Sequence, residues 1–139
     1  MLVTCLQCKK INRIPFDRIN DRPICGACKK GLLLHPLEVD LESFREIRKH
    51  SKIPLIVDFW ASWCGPCKVF SPTFQDSASK IGEQVLHLKV NTEKNPALSQ
   101  EFNIRSIPTL IGFKNGVEID RISGALAPIQ LNQFIARLC

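Results

Sequence analysis

Four cysteines near one end of the chain, Cys5, Cys8, Cys25 and Cys28, are spaced C-x2-C-x16-C-x2-C. No other feature restricts its fold as tightly. A tetrahedral ion held at about 2.3 Å by four sulfurs needs two short chelate loops, and each two-residue gap curls the backbone around the metal. The 16-residue gap lets the second knuckle return to face the first. Gly26 within the second pair and Gly31 just beyond it suit a tight turn. Four sulfurs close the coordination shell and leave no position for a catalytic water, so a structural Zn²⁺ is expected. Some 36 residues cannot bury enough surface to fold alone, and the metal would supply the missing folding energy.

Two other readings use the same residues. Disulfides would suit a secreted miniprotein. The N-terminus Met1-Leu-Val-Thr-Cys-Leu-Gln-Cys-Lys-Lys10, however, has no basic segment leading into an apolar stretch and no small-residue cleavage site. A reducing, cytoplasmic setting is therefore the expectation. A catalytic dithiol would need a strand before it and a helix after it, yet Cys5 follows only four residues and Cys25 follows the turn-like Asn20-Asp-Arg-Pro23.

Charge divides along the same line. Residues 1–36 hold seven Lys or Arg against two Asp, so most of the net charge of +6 lies there. A basic patch could grip nucleic acid or an acidic protein, and a zinc-ribbon binding module with an accessory redox domain is the rival reading. That rival lacks stacking residues, since Phe16 is the only aromatic in residues 1–36. Four thiolates with Zn²⁺ carry −2 and offset part of the excess. Nucleic acid is therefore not an expected partner. The 139 residues are 45% hydrophobic and 23% charged, as in a globular protein, and no apolar run approaches the roughly 20 residues of a membrane span.

The third pair, Cys64-Gly65-Pro66-Cys67, has the context the others lack. Before it, Pro54-Leu-Ile-Val-Asp-Phe-Trp60 reads as a buried strand. After it, Val69 or Phe70, Phe74, Ala78 and Ile81 recur at helical spacing, Pro72 predicts a kink, and Gly82 is a plausible stop. At a helix start, unpaired N–H groups and the macrodipole favour an anion. Cys64 is thus the expected attacking thiolate, and Cys67, one turn inside and shielded, the resolving thiol. Pro66 restricts the loop near the helix start.

Other elements follow from pattern. A strand near 37–39 leads through Asp40, a candidate N-cap, into a helix with Leu41, Phe44 and Ile47 or Arg48. Strands are predicted at 85–91 and 109–114, with a short helix near 97–102. Asn115-Gly116 signals a hairpin into 117–123, and a last helix starts at Pro128. Together they predict an α/β fold, a mixed sheet with helices on both faces, preceded by a zinc-ribbon-like module. Asp58 and Lys89 break the apolar pattern of their strands and, if both sheet faces are covered, would pair beneath the dithiol, with burial raising the Asp58 pKa. Trp60 reads as core and Trp63 as an exposed rim, while Gly124 either leaves room for a substrate backbone or serves a turn. Cys139 reads as an exposed terminal thiol, and His35, His50 and His87 as ordinary residues.

At Val57-Asp-Phe-Trp-Ala-Ser-Trp-Cys-Gly-Pro-Cys-Lys68 the chain resembles thioredoxins. The likeness continues through Lys89-Val-Asn91, Ile104-Arg-Ser-Ile-Pro-Thr109, Phe113-Lys-Asn-Gly116 and Gly124-Ala125, and covers about residues 37–139. Residues 1–36 resemble the zinc-carrying extension of the bacterial thioredoxin 2 branch. The resemblance implies a thioredoxin fold and a protein thiol–disulfide oxidoreductase that reduces protein disulfides. It implies that Asp58, with Lys89, assists deprotonation of Cys67, and that a cis bond at Ile107-Pro108 sets the Ile107 backbone against the dithiol. Trp63, Gly65, Pro66, Ile107, Pro108 and Gly124 would then line the substrate site. No Rossmann fingerprint or other organic-cofactor motif occurs. Electrons must therefore come from outside, and the resemblance implies an NADPH-dependent flavoprotein thioredoxin reductase as the donor. The chain itself is expected to be a monomer.

Overall fold

A computed structural model describes all 139 residues. The N-terminal region forms a small antiparallel pair, β1 (Leu2–Thr4) and β2 (Ile11–Arg13), then a 3-10 turn over Phe16–Asp21. Beyond it run β3 (Leu37–Glu38), α1 (Leu41–His50), β4 (Leu55–Trp60), α2 (Gly65–Ile81), β5 (Leu86–Asn91), α3 (Pro96–Glu101), β6 (Thr109–Lys114), β7 (Val117–Ser123) and α4 (Pro128–Ala136). The main sheet has the order β3-β5-β4-β6-β7, with β3, β5 and β4 parallel and β6 and β7 antiparallel to their neighbours. The mixed sheet is thus the expected one, and most predicted boundaries hold to within a residue.

Alternation along the strands assigns each side chain to a layer. Leu55, Val57 and Phe59 of β4 meet Leu86, Leu88 and Val90 of β5, with Phe44 and Ile47 of α1 above them. The rings of Phe44, Phe102 and Phe113 meet edge-on at 5.6 Å there. On the opposite face Ile56 and Leu110 pack against Phe70 and Phe74 of α2 and Leu131, Phe134 and Ile135 of α4. Both faces of the central strands are therefore covered. Asp40 caps α1 by accepting the Ser43 N–H at 2.8 Å. Helix α2 runs unbroken through Pro72.

The α1 face does not end at the sheet. Val3, Ile14, Ile19, Leu32 and Leu33 join the same apolar cluster, so the N-terminal region shares a continuous core with the rest of the chain. Gly82 marks one point of close approach. Its φ of −60° is ordinary helical backbone rather than the left-handed stop expected of a terminal glycine. Glycine is needed because a Cβ at this position would run into the Leu33 carbonyl.

Candidate functional site

Cys64 is the N-cap of α2, with Gly65 and Pro66 as the first helical residues. One free N–H of its first turn is aimed at the capping sulfur. Cys67 N donates to Cys64 Sγ at 3.1 Å. The two cysteines form a disulfide with Cα atoms 5.2 Å apart. Shielding does not distinguish them, contrary to expectation: Cys64 is 3% and Cys67 4% exposed. The amide hydrogen bond and the N-cap position are what separate the two sulfurs.

The preceding loop is pinned from two sides. Ser62 donates through its backbone N–H (3.0 Å) and its hydroxyl (2.8 Å) to Glu93 Oε1, and Thr92 N donates to Trp60 O at 2.8 Å. Nothing in the sequence pattern singled out Glu93, which sits in an ordinary polar turn. Across the dithiol, Ile107-Pro108 is a cis peptide, and the Ile107 carbonyl oxygen lies 3.7 Å from Cys64 Sγ. Trp63 is 70% exposed and, with Ile107 and Ile104, lines a groove of about 350 Å³. A Cβ on Gly65 would meet only open space. Gly124 has φ +102°, which disfavours other residues, and its N–H donates to the Pro108 carbonyl at 2.8 Å. A Cβ there would meet nothing within 4 Å, so its outer side is open.

Asp58 and Lys89 are Cα partners on β4 and β5, facing the same side of the sheet, but they do not form the expected ion pair. Both Asp58 carboxylate oxygens are buried without a hydrogen-bond partner. The Lys89 ammonium instead lies over the Trp60 ring, 4.6 Å from its centroid. Burial pushes the Asp58 pKa up to about 7, against the opposing pull of Lys89. Trp60 is only partly buried, and its Nε1–H donates to Glu38 Oε1 at 3.0 Å. No sequence signal marks Glu38, because Leu37-Glu38-Val39 is the in-out-in alternation of any half-exposed strand.

At the other end, Cys5, Cys8, Cys25 and Cys28 bring their sulfurs within 4.8 Å of one another, with Cys5 and Cys28 at 3.6 Å and Cys8 and Cys25 at 3.5 Å. A tetrahedron with bonds of about 2.3 Å separates its sulfurs by about 3.8 Å, so the four thiols fit Zn²⁺. The cluster includes no histidine. The knuckles are built alike. Lys9 N donates to Cys5 O and Cys5 N to Lys10 O, while Lys29 N donates to Cys25 O and Cys25 N to Lys30 O. Lys9 and Lys29 both take φ +66°. Asn12 ties the two together by accepting the Gly26 N–H at 2.9 Å and donating to Cys25 Sγ at 3.5 Å.

A dithiol at a helix N-terminus, facing an X-Pro turn on a mixed sheet covered on both sides, defines a disulfide oxidoreductase of the thioredoxin fold. Comparison with known proteins agrees. Residues 35–137 match the Thioredoxin family model, and residues 4–30 match the model for the N-terminal part of Thioredoxin 2, a zinc ribbon. Thioredoxin C-3 of Corynebacterium nephridii is 41% identical over 136 residues, covering 97% of this chain and 93% of its own. Thioredoxin 1 of a Nostoc species is 37% identical over 100 residues, 72% of this chain and 94% of that protein. The solved thioredoxin of Malassezia sympodialis superposes with a TM-score of 0.67 at 33% identity, covering 75% of this chain and 91% of the other. The chain belongs to the thioredoxin family of disulfide oxidoreductases. No helix is long and apolar enough to cross a membrane.

Proposed function

We propose that the protein reduces disulfides of other proteins by dithiol exchange through Cys64-Gly-Pro-Cys67. Division of labour follows the chain: residues 37–139 carry the chemistry, and residues 1–36 form a zinc module. The observation that carries this reading is Cys64 Sγ at the α2 N-cap, accepting the Cys67 N–H. A hydrogen bond to the charged form and the helix dipole both favour a thiolate there.

The Cys64 thiolate attacks one sulfur of the substrate disulfide, forming a mixed disulfide and releasing the other sulfur as a thiolate. Cys67 loses its proton to the Asp58 carboxylate and attacks Cys64 Sγ. The Cys64–Cys67 bond forms, and the second substrate thiolate leaves. Two electrons pass to the substrate, and the released thiolates take up protons. An Asp58 pKa near 7 suits a group that must accept and return a proton at neutral pH. Lys89 offsets the resulting charge from the neighbouring strand. The exposed Trp63, the Gly65-Pro66 corner, the Ile107-Pro108 backbone and the open side of Gly124 form the rim on which an extended substrate segment lies. Electrons return from an NADPH-dependent flavoprotein thioredoxin reductase.

Zn²⁺ bound by Cys5, Cys8, Cys25 and Cys28 would close its shell with sulfur and contribute folding free energy. The protein acts as a monomer in the cytoplasm. Insulin-disulfide reduction, with and without thioredoxin reductase and beside metal analysis of the same sample, tests the activity. Cys67→Ser is expected to accumulate covalent substrate complexes, whereas Cys64→Ser is not. Trapping by Cys64→Ser alone would reverse the assignment of the nucleophile.

A further inference from the structure

Glu38 connects the acid–base chemistry to the N-terminal module. Lys89 on β5 is the Cα partner of both Asp58 on β4 and Glu38 on β3, so the two acidic residues flank Lys89 on the same sheet face. Glu38 also accepts the Trp60 Nε1–H at 3.0 Å, and Lys89 lies over that same ring. Trp60 in turn packs against the cluster containing Ala61, Cys64 and Cys67. Asp58 itself is sealed, with 1% of its surface exposed, whereas Glu38 lines a groove of about 890 Å³ that Met1, Arg13 and Phe16 line as well. Of the two acids, only Glu38 reaches solvent, and it does so beside the N-terminal module.

We propose that Glu38 is a positioning residue for the dithiol chemistry: it clamps the Trp60 indole and divides the field of Lys89 with Asp58. This inference rests on the reading of Asp58 as the proton acceptor for Cys67. The charged groups around the pair come from several elements. Lys89 and Lys94 lie on and just after β5, Arg13 and Met1 line the same groove, and Asp40 and Glu42 stand at the start of α1. From α2, Cys67 is the only titratable group among the buried residues, and β6 presents Leu110 opposite Asp58. Glu38 opposes the ionisation of Asp58, while Lys89 favours it.

The magnitude follows from the sheet. Glu38 and Asp58 stand two strands apart, about 10 Å between backbones. At the effective dielectric of a protein, one charge at that distance moves a neighbour's midpoint by about one pH unit. Glu38→Gln keeps an acceptor for the indole and removes the charge, whereas Glu38→Leu removes both. In the zinc-loaded full chain, carbon NMR of the Asp58 carboxyl is expected to show its midpoint falling by about one pH unit in both variants. The Trp60 indole N–H resonance should stay in place in Glu38→Gln and move in Glu38→Leu. An Asp58 midpoint that moves by less than about 0.2 pH units in Glu38→Gln overturns the electrostatic part. An unmoved indole resonance in Glu38→Leu overturns the clamp. The pH profile of Cys67 alkylation in the reduced protein separates the two levels of inference. If the Asp58 midpoint falls while that profile stays fixed, the part assigned to Glu38 stands and Asp58 is not the proton acceptor.

Discussion

Replacing Asp58 by Asn should abolish a loss of stability that the wild type suffers as pH rises from acid to alkaline. Folded Asp58 keeps its proton up to about 7, against an ordinary value of 3.8. The unfolded chain releases that proton near the ordinary value. Between the two pH values the folded state therefore binds more protons, and stability falls as pH rises through the window. Above pH 7 the loss is complete. The gap, at about 1.4 kcal/mol per pH unit, corresponds to about 4 kcal/mol. Asn cannot ionise, so the wild type should lose about 4 kcal/mol relative to the variant between pH 4 and pH 8. The steric and hydrogen-bonding cost of the amide cancels, because it is the same at both pH values. Urea unfolding of the oxidised, zinc-loaded proteins at the two pH values measures this double difference. Parallel stability curves for wild type and variant would refute the claim that a sealed carboxyl without partners is forced to ionise there.

Three further outcomes follow from other parts of the molecule. His87 is buried, with Nε2 2.9 Å from Ser77 Oγ and Nδ1 2.8 Å from Val85 O, and burial lowers its pKa to about 4. The unfolded His binds its proton near 6.5, so stability should fall by about 3 kcal/mol as pH drops from 6.5 to 4. His87→Leu should remove that acid limb, and an unchanged limb in thermal unfolding would contradict the assignment. Gly82→Ala drives a Cβ into the Leu33 carbonyl and should cost about 1–3 kcal/mol, with faster tryptic cleavage within residues 1–36. Cleavage at the wild-type rate would mean that the N-terminal region does not dock through Gly82. Asn12→Ala removes the tie between the knuckles and should weaken zinc binding about 10-fold or more in competition with a chelator. Equal affinities would show that the tie does not orient the cluster.

The legible parts of this chain were those whose chemistry is local. Asn115-Gly116 announced its hairpin because both residues must take positive φ, and they do, at +53° and +75°. The cysteine pairs were equally readable, since a chelate loop and a helix-start dithiol each need particular spacings and neighbours. Other features arise only when strands meet. Glu38 became part of the site because β3 pairs with β5 at Lys89, a register that no local pattern encodes. Asp58 and Lys89 are neighbours, as their pattern-breaking positions predict, yet the ammonium rests on the Trp60 ring rather than on the carboxylate. An indole face and a carboxylate compete for the same cation, and sequence alone does not decide between them. The strands β1 and β2, three residues each, are too short for a periodicity to register. Docking of the N-terminal region includes a backbone contact between Leu33 and Gly82, which side-chain patterning does not record.

The proposed chemistry turns on the acidity of the sulfur that caps α2. In the Cys67→Ser protein, the rate of Cys64 alkylation as a function of pH reads that acidity directly. A midpoint clearly below the ordinary thiol value of about 8.5 is the expected result. A Cys64 that titrates like free cysteine in the folded, zinc-loaded chain would contradict its role as the attacking thiolate.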